Sequence, residues 1–142
     1  MRYTYKYYFQ PRYTDLDYYV IAHHSKFMVW FEEARFECFK EYKDKFEKLL
    51  NKYKLPVTKL ECKYRQMVAE IKPMVVVLTI DTEMDIPILH FEYKLMDADE
   101  KKLYANAYTE HAFVSEKGME TEIPIELKEL LQEITEKYKM AV

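Results

Sequence analysis

A chain of 142 residues suits one domain spanning 1–142, since a chain of that size withdraws roughly 70% of its unfolded surface from water. Lys and Arg number 22 against 25 Asp and Glu, net charge −3, with no long single-sign block, so phosphate-backbone neutralisation is a poor account of function and nucleic acid is not an expected partner. The only glycine, Gly118, excludes the glycine-rich loops of dinucleotide and nucleoside-triphosphate sites. The only cysteines, Cys38 and Cys62, form no CxxC pair and read as buried thiols rather than a disulfide framework or a thiolate metal cage. "MRYTYKYYFQPRYTD" lacks the apolar region of a signal peptide, and no stretch of about 18 apolar residues occurs. The expectation is a soluble, cytoplasmic protein without membrane insertion.

In chain order, "RYTYKYYFQ" (2–10) is rich in aromatic strand formers and stops at Pro11, which cannot continue a ladder. A polar passage follows, with Asp15, Asp17, His23 and His24 crowded ahead of a long amphipathic run. From about Ser25, the apolar residues Phe27, Trp30, Phe31, Ala34, Cys38, Phe39, Tyr42, Phe46, Leu49 and Leu50 recur at steps of three or four, which predicts one long helix ending before Pro56. Strand-like runs follow near 57–67, 74–83, 87–96 and 102–115, and "ILHFEYKL" alternates so that Leu89, Phe91, Tyr93 and Leu95 share a face. "DADEKK" reads as the hairpin loop between the last two runs. Pro124 suits the start of a helix whose stripe is Leu127, Leu130, Leu131, Ile134 and Tyr138.

One helix followed by consecutive strands lacks the repeated βαβ units of a parallel sheet. The helix carries more large apolar residues than one contact line needs, so a curved, mostly antiparallel sheet enclosing it buries them best. The fold class is therefore α+β, a hotdog with one long central helix and an added C-terminal helix.

"YTDLDYYVIAHHSKFMVWFEEARFE" resembles the signature of hotdog-fold acyl-CoA thioesterases of the 4-hydroxybenzoyl-CoA thioesterase type. In these an Asp-x-Asp loop leads through a short apolar link into a helix with aromatic, Glu and Ala-Arg positions. The similarity continues from "LECKYRQMVAEIKPMVVVLTID" to "HAFVSEKGM", covering residues 2 to about 120. The resemblance implies hydrolysis of an acyl-CoA thioester without metal or cofactor, in a homodimer or homotetramer whose sites lie at the protomer boundary. Asp17 falls at the family's catalytic carboxylate, as nucleophile or general base. His24 falls at the helix start, where a backbone N–H holds the thioester carbonyl. Val20, Ile21, His23 and Phe27 are the expected substrate-binding residues. Helix physics agrees, because the first N–H groups have no intrahelical partner and sit at the positive end of the helix dipole.

The chain departs from the family at Val20, where Gly is usual and where a Cβ penalises positive φ. It also has Met67 in place of Pro and Lys26 in place of a small polar residue. Asp15 and Asp17 also fit plain turn acids, and His90 and His111 read as structural. His23 and His24 have no third His or Cys nearby, so no metal is expected. The competing reading is a non-catalytic acyl-CoA or acyl-lipid binding module.

Overall fold

The structure is a computed structural model that describes residues 1–140. Five strands form one antiparallel sheet in the order β1-β3-β4-β5-β2: β1 (Arg2–Phe9), β2 (Val57–Tyr64), β3 (Met74–Asp81), β4 (Leu89–Asp97) and β5 (Leu103–His111). Register follows the alternation read from the sequence. Tyr3, Tyr5, Tyr7 and Phe9 pair with Ile80, Leu78, Val76 and Met74, and Leu89, Phe91, Tyr93 and Leu95 pair with His111, Thr109, Ala107 and Ala105. These residues form the inner face. The curved sheet wraps the helix α1 (His24–Glu37), whose Phe27, Trp30, Phe31 and Ala34 are buried. Phe31 stacks on Tyr93 at 4.7 Å, and Trp30 packs on Phe9 at 5.1 Å. This is the expected hotdog arrangement.

The expected single long helix is broken. It ends at Glu37, passes through a 3-10 turn (Lys40–Tyr42), and resumes as α2 (Lys43–Lys52). Phe39 (φ −104°, ψ 7°) and Tyr42 (φ −119°, ψ 31°) leave helical space, so the chain changes direction while both rings stay buried. No Pro or Gly marks the break, and apolar steps of three or four run across it, because each short helix keeps its own buried stripe. The helix α3 (Ile125–Met140) follows directly after Pro124 and buries Leu127, Leu130, Leu131 and Ile134 against α2 and β1. Its Tyr138 packs edge-on against Tyr3 at 6.3 Å. The last strand run ends earlier than expected, at His111. Val114–Ser115 (β6) and Gly118–Met119 (β7) make a separate small hairpin.

The edge strand β2 is unlike the rest. Every residue but Cys62 is exposed, including Leu60 and Tyr64, which the register places on the inner face opposite Thr109 and Ala105. Its outer ladder groups have no strand partner among the described residues, and apolar Val29, Phe36 and Leu50 lie exposed on the neighbouring helices. No described helix is long and apolar enough to cross a membrane.

Candidate active site

Between β1 and α1 the chain makes a 3-10 turn (Tyr13–Asp15) and then a tight reversal closed by the bridge between Leu16 and Ala22. Asp15 is 2% exposed, and its carboxylate accepts from the N–H of Arg12 at 2.7 Å. Its other oxygen, without a hydrogen bond, lies 3.7 Å from the Arg12 guanidinium and 3.8 Å from Lys26. Lys26, unusual against the family pattern, thus supplies counter-charge to a buried acid.

Asp17 opens the reversal. The N–H of Val20 donates to its carbonyl at 2.9 Å, and its own N–H donates to Ile21 O at 2.9 Å. Its Oδ1 accepts from the N–H groups of Tyr19 (2.8 Å) and Ile21 (3.3 Å), while Oδ2 has no protein partner among the described residues. Val20 adopts φ +60°. A tight turn followed by a left-handed residue is a common short hairpin loop, and Gly is the usual occupant of that last position. A Cβ there costs about 1–2 kcal/mol. Val20→Gly is therefore expected to raise stability by about 0.5–1 kcal/mol, after the greater freedom of Gly in the unfolded chain is set against the relief. Urea denaturation measures this, and a loss of stability would show that the left-handed strain is not there.

His23 caps α1, its Nδ1 accepting from Ser25 N–H at 3.3 Å. His24 is the first helical residue, and its N–H has no acceptor within the chain among the described residues. A cavity of about 280 Å³ opens at this point, lined by Ile21, Ala22, His24, Phe27, Tyr64, Arg65, Gln66 and Met67. Of the residues expected at the site, Ile21, His24 and Phe27 meet there. Val20, His23 and Asp17 do not line it; Asp17 is exposed and touches the lining only by accepting from Ile21 N–H at 3.3 Å. Tyr64 and the following loop were missed from sequence. The sequence marked only Met67 there, as a departure from the family; the Tyr64 ring reaches the site across the fold, 5.1 Å from that of Phe27.

A second polar arrangement lies inside the core. The Arg35 guanidinium donates to Tyr93 Oη at 3.0 Å, Tyr93 Oη lies 2.7 Å from Thr109 Oγ1, and Thr109 Oγ1 lies 3.0 Å from His111 Nε2. His111 Nδ1 then reaches Leu55 O at 3.1 Å. Burial holds the His111 pKa below its ordinary value and raises that of Tyr93, Arg35 and Thr109 opposing the latter shift. The sequence signal was faint: Arg35 falls on the helix stripe beside Phe31 and Cys38, and Thr109 and His111 alternate onto the inner face. A polar groove on the sheet's outer face, crossed by the Arg2–Glu92 ion pair, holds neither His24 nor Asp17.

The fold recurs in solved structures. A hypothetical protein from Aquifex aeolicus is 25% identical, with a TM-score of 0.75 over 89% of this chain and 98% of that one. A 1,4-dihydroxy-2-naphthoyl-CoA thioesterase from Synechocystis is 16% identical, with a TM-score of 0.78 over 93% and 98%. A DHNA-CoA thioesterase from Staphylococcus aureus is 17% identical, with a TM-score of 0.73 over 96% and 91%. No curated protein matches the chain. The model of the thioesterase-like superfamily matches residues 11–133, which takes in the Asp17 turn, α1 and strands β2 to β5 of the wrapped sheet, and the chain belongs to that superfamily.

Proposed function

We propose that the protein is an acyl-CoA thioesterase whose chemistry takes place where α1 begins. The observation that carries this reading is His24, first residue of the helix with its N–H unpaired among the described residues, lining a mostly apolar cavity whose neighbouring lining residue Ile21 donates its N–H to Asp17. A thioester carbonyl oxygen seated on that N–H gains charge as the carbonyl carbon is attacked, and the helix dipole and fixed amide stabilise it without reorganisation. The free Oδ2 of Asp17 either attacks the carbon directly or takes a proton from an attacking water. The C–S bond then breaks and CoA leaves as a thiolate that takes up a proton; water attack gives the free carboxylic acid at once, whereas direct attack gives an acyl–Asp17 mixed anhydride that a water then hydrolyses to the free acid and the Asp17 carboxylate. A thiolate is a tolerable leaving group, so this needs neither metal nor redox cofactor. Two of the proteins of similar fold are a 1,4-dihydroxy-2-naphthoyl-CoA thioesterase and a DHNA-CoA thioesterase, which agrees with a CoA thioester as the substrate here.

The working unit is a homodimer joined along β2, or a tetramer built from such dimers. An exposed edge strand with apolar Leu60 and Tyr64 on its inner face is a self-pairing surface. Two-fold antiparallel pairing sets the Tyr64 end of one β2 beside the Val57 end of the other, and so closes the helix-entrance cavity with the second protomer. A binding module without chemistry is the second reading, favoured by Asp17 Oδ1 being engaged in its own turn. Release of free thiol from a panel of acyl-CoA thioesters separates the two.

A further inference from the structure

A cavity of about 310 Å³ lies between α1, α2 and the start of β2, away from the helix entrance of its own protomer. Its walls include Phe36, Phe39, Leu50, Leu55, Val57 and Phe91, apolar on nearly every side and at the lower end of the size of small-molecule sites. Arg35, Glu32 and His111 are the polar members of the lining, and Arg35 is the one that carries positive charge. Its guanidinium bonds to Tyr93 Oη, and its charge reaches three buried groups, Cys38, Tyr93 and His111. Even so, no carboxylate lies within ion-pair distance of it among the described residues. Glu32 also lines the cavity, but it is exposed at the mouth, where water screens it. Burial lowers the His111 pKa and so disfavours a second positive charge there.

A guanidinium at a largely apolar cavity with no carboxylate in ion-pair distance is a recognition group, since a planar carboxylate satisfies the N–H donors that Tyr93 leaves free. Position supports the same conclusion. Val57, at this cavity, and Tyr64, at the helix entrance, are the two ends of β2. In the antiparallel dimer proposed above, each Arg35 cavity therefore adjoins the helix entrance of the other protomer. We infer that this cavity receives the acyl group of a thioester seated on the partner's helix start, and that Arg35 selects acyl groups ending in a carboxylate. The inference rests on the thioesterase reading for the identity of the ligand, not for the existence of the anion site.

The test compares adipoyl-CoA with hexanoyl-CoA, matched in chain length and differing in the terminal carboxylate. Wild type is expected to favour adipoyl-CoA in kcat/KM by at least about tenfold, because a site built for a polar group discriminates strongly against an analogue lacking it. Arg35→Met is expected to erase that preference, with a loss of about 10²-fold on adipoyl-CoA and little change on hexanoyl-CoA. Arg35→Lys should restore part of it. Equal losses on both substrates would assign Arg35 to holding Tyr93 and overturn the inference, and so would a wild type that prefers hexanoyl-CoA. If wild type hydrolyses neither, calorimetric binding of the two non-hydrolysable thioether analogues decides. Preference for the acidic analogue, lost in Arg35→Met, keeps the anion site while the thioesterase reading falls. Equal binding of both analogues ends the inference.

Discussion

Asp17→Asn is expected to lower kcat by about 10²-fold to 10⁴-fold, equivalent to about 3 to 5 kcal/mol of transition-state stabilisation, with little change in acyl-CoA binding. The turn explains why this substitution is a clean one. Asn keeps an Oδ1 acceptor for the N–H groups of Tyr19 and Ile21, and Asn suits turns as well as Asp does, so the reversal and its register with Ala22 survive. What is lost is the charge and basicity of the free oxygen. Asp15→Asn is expected to spare catalysis, because Asp15 is buried against Arg12 and Lys26 rather than at the cavity, and to lower stability instead. Steady-state kinetics beside thermal unfolding separates the two acids. An Asp17→Asn enzyme that keeps most of its activity would remove the carboxylate from the mechanism, though the fold would stand.

Leu60→Asp is expected to convert the assembly to monomers and to lower activity by at least about 10²-fold. In a single chain Leu60 is 50% exposed on the inner face of the edge strand, so a charge there costs the monomer little. At a self-paired edge, two such charges come close together in a desolvated seam, where like charges repel strongly. Activity should fall with assembly because the helix-entrance cavity would be left open to water on the side that the proposed second protomer closes, which weakens electrostatic stabilisation of the oxyanion. Sedimentation velocity and activity measured on the same samples decide the matter. A wild type that sediments at the mass of one chain, 17.4 kDa, while fully active would show that each protomer suffices alone.

Much of the fold was legible because its residues report their own faces. The period-two alternation of Leu89, Phe91, Tyr93 and Leu95 gave the inner face of β4 directly, and Tyr3, Tyr5, Tyr7 and Phe9 behave alike in β1. The break after Glu37 was not legible, since a helix that bends between two buried aromatics leaves the apolar spacing intact. Within the site, the apolar period put the helix start at about Ser25, one residue past the first helical residue, and it was the resemblance that set His24 there. Asp17 was placed by resemblance alone. Its neighbours in sequence do not reveal that Val20 accepts a left-handed backbone, because propensity argues against it and the hairpin closed between Leu16 and Ala22 overrides it. The Arg35 to His111 chain draws on α1, β4 and β5 at once, so only the folded sheet brings its members together.

The most direct measurement of the central claim is release of free thiol by the purified wild-type protein from a panel of aryl, alkyl and ω-carboxyalkyl CoA thioesters. Asp17→Asn, run beside it, corrects for background. The expected result is turnover of at least one thioester in the ordinary enzyme range of about 1 to 10³ per second, falling to near background in Asp17→Asn. Tight binding of the same thioesters with no thiol released above the buffer rate would contradict it and leave the protein an acyl-CoA binding module.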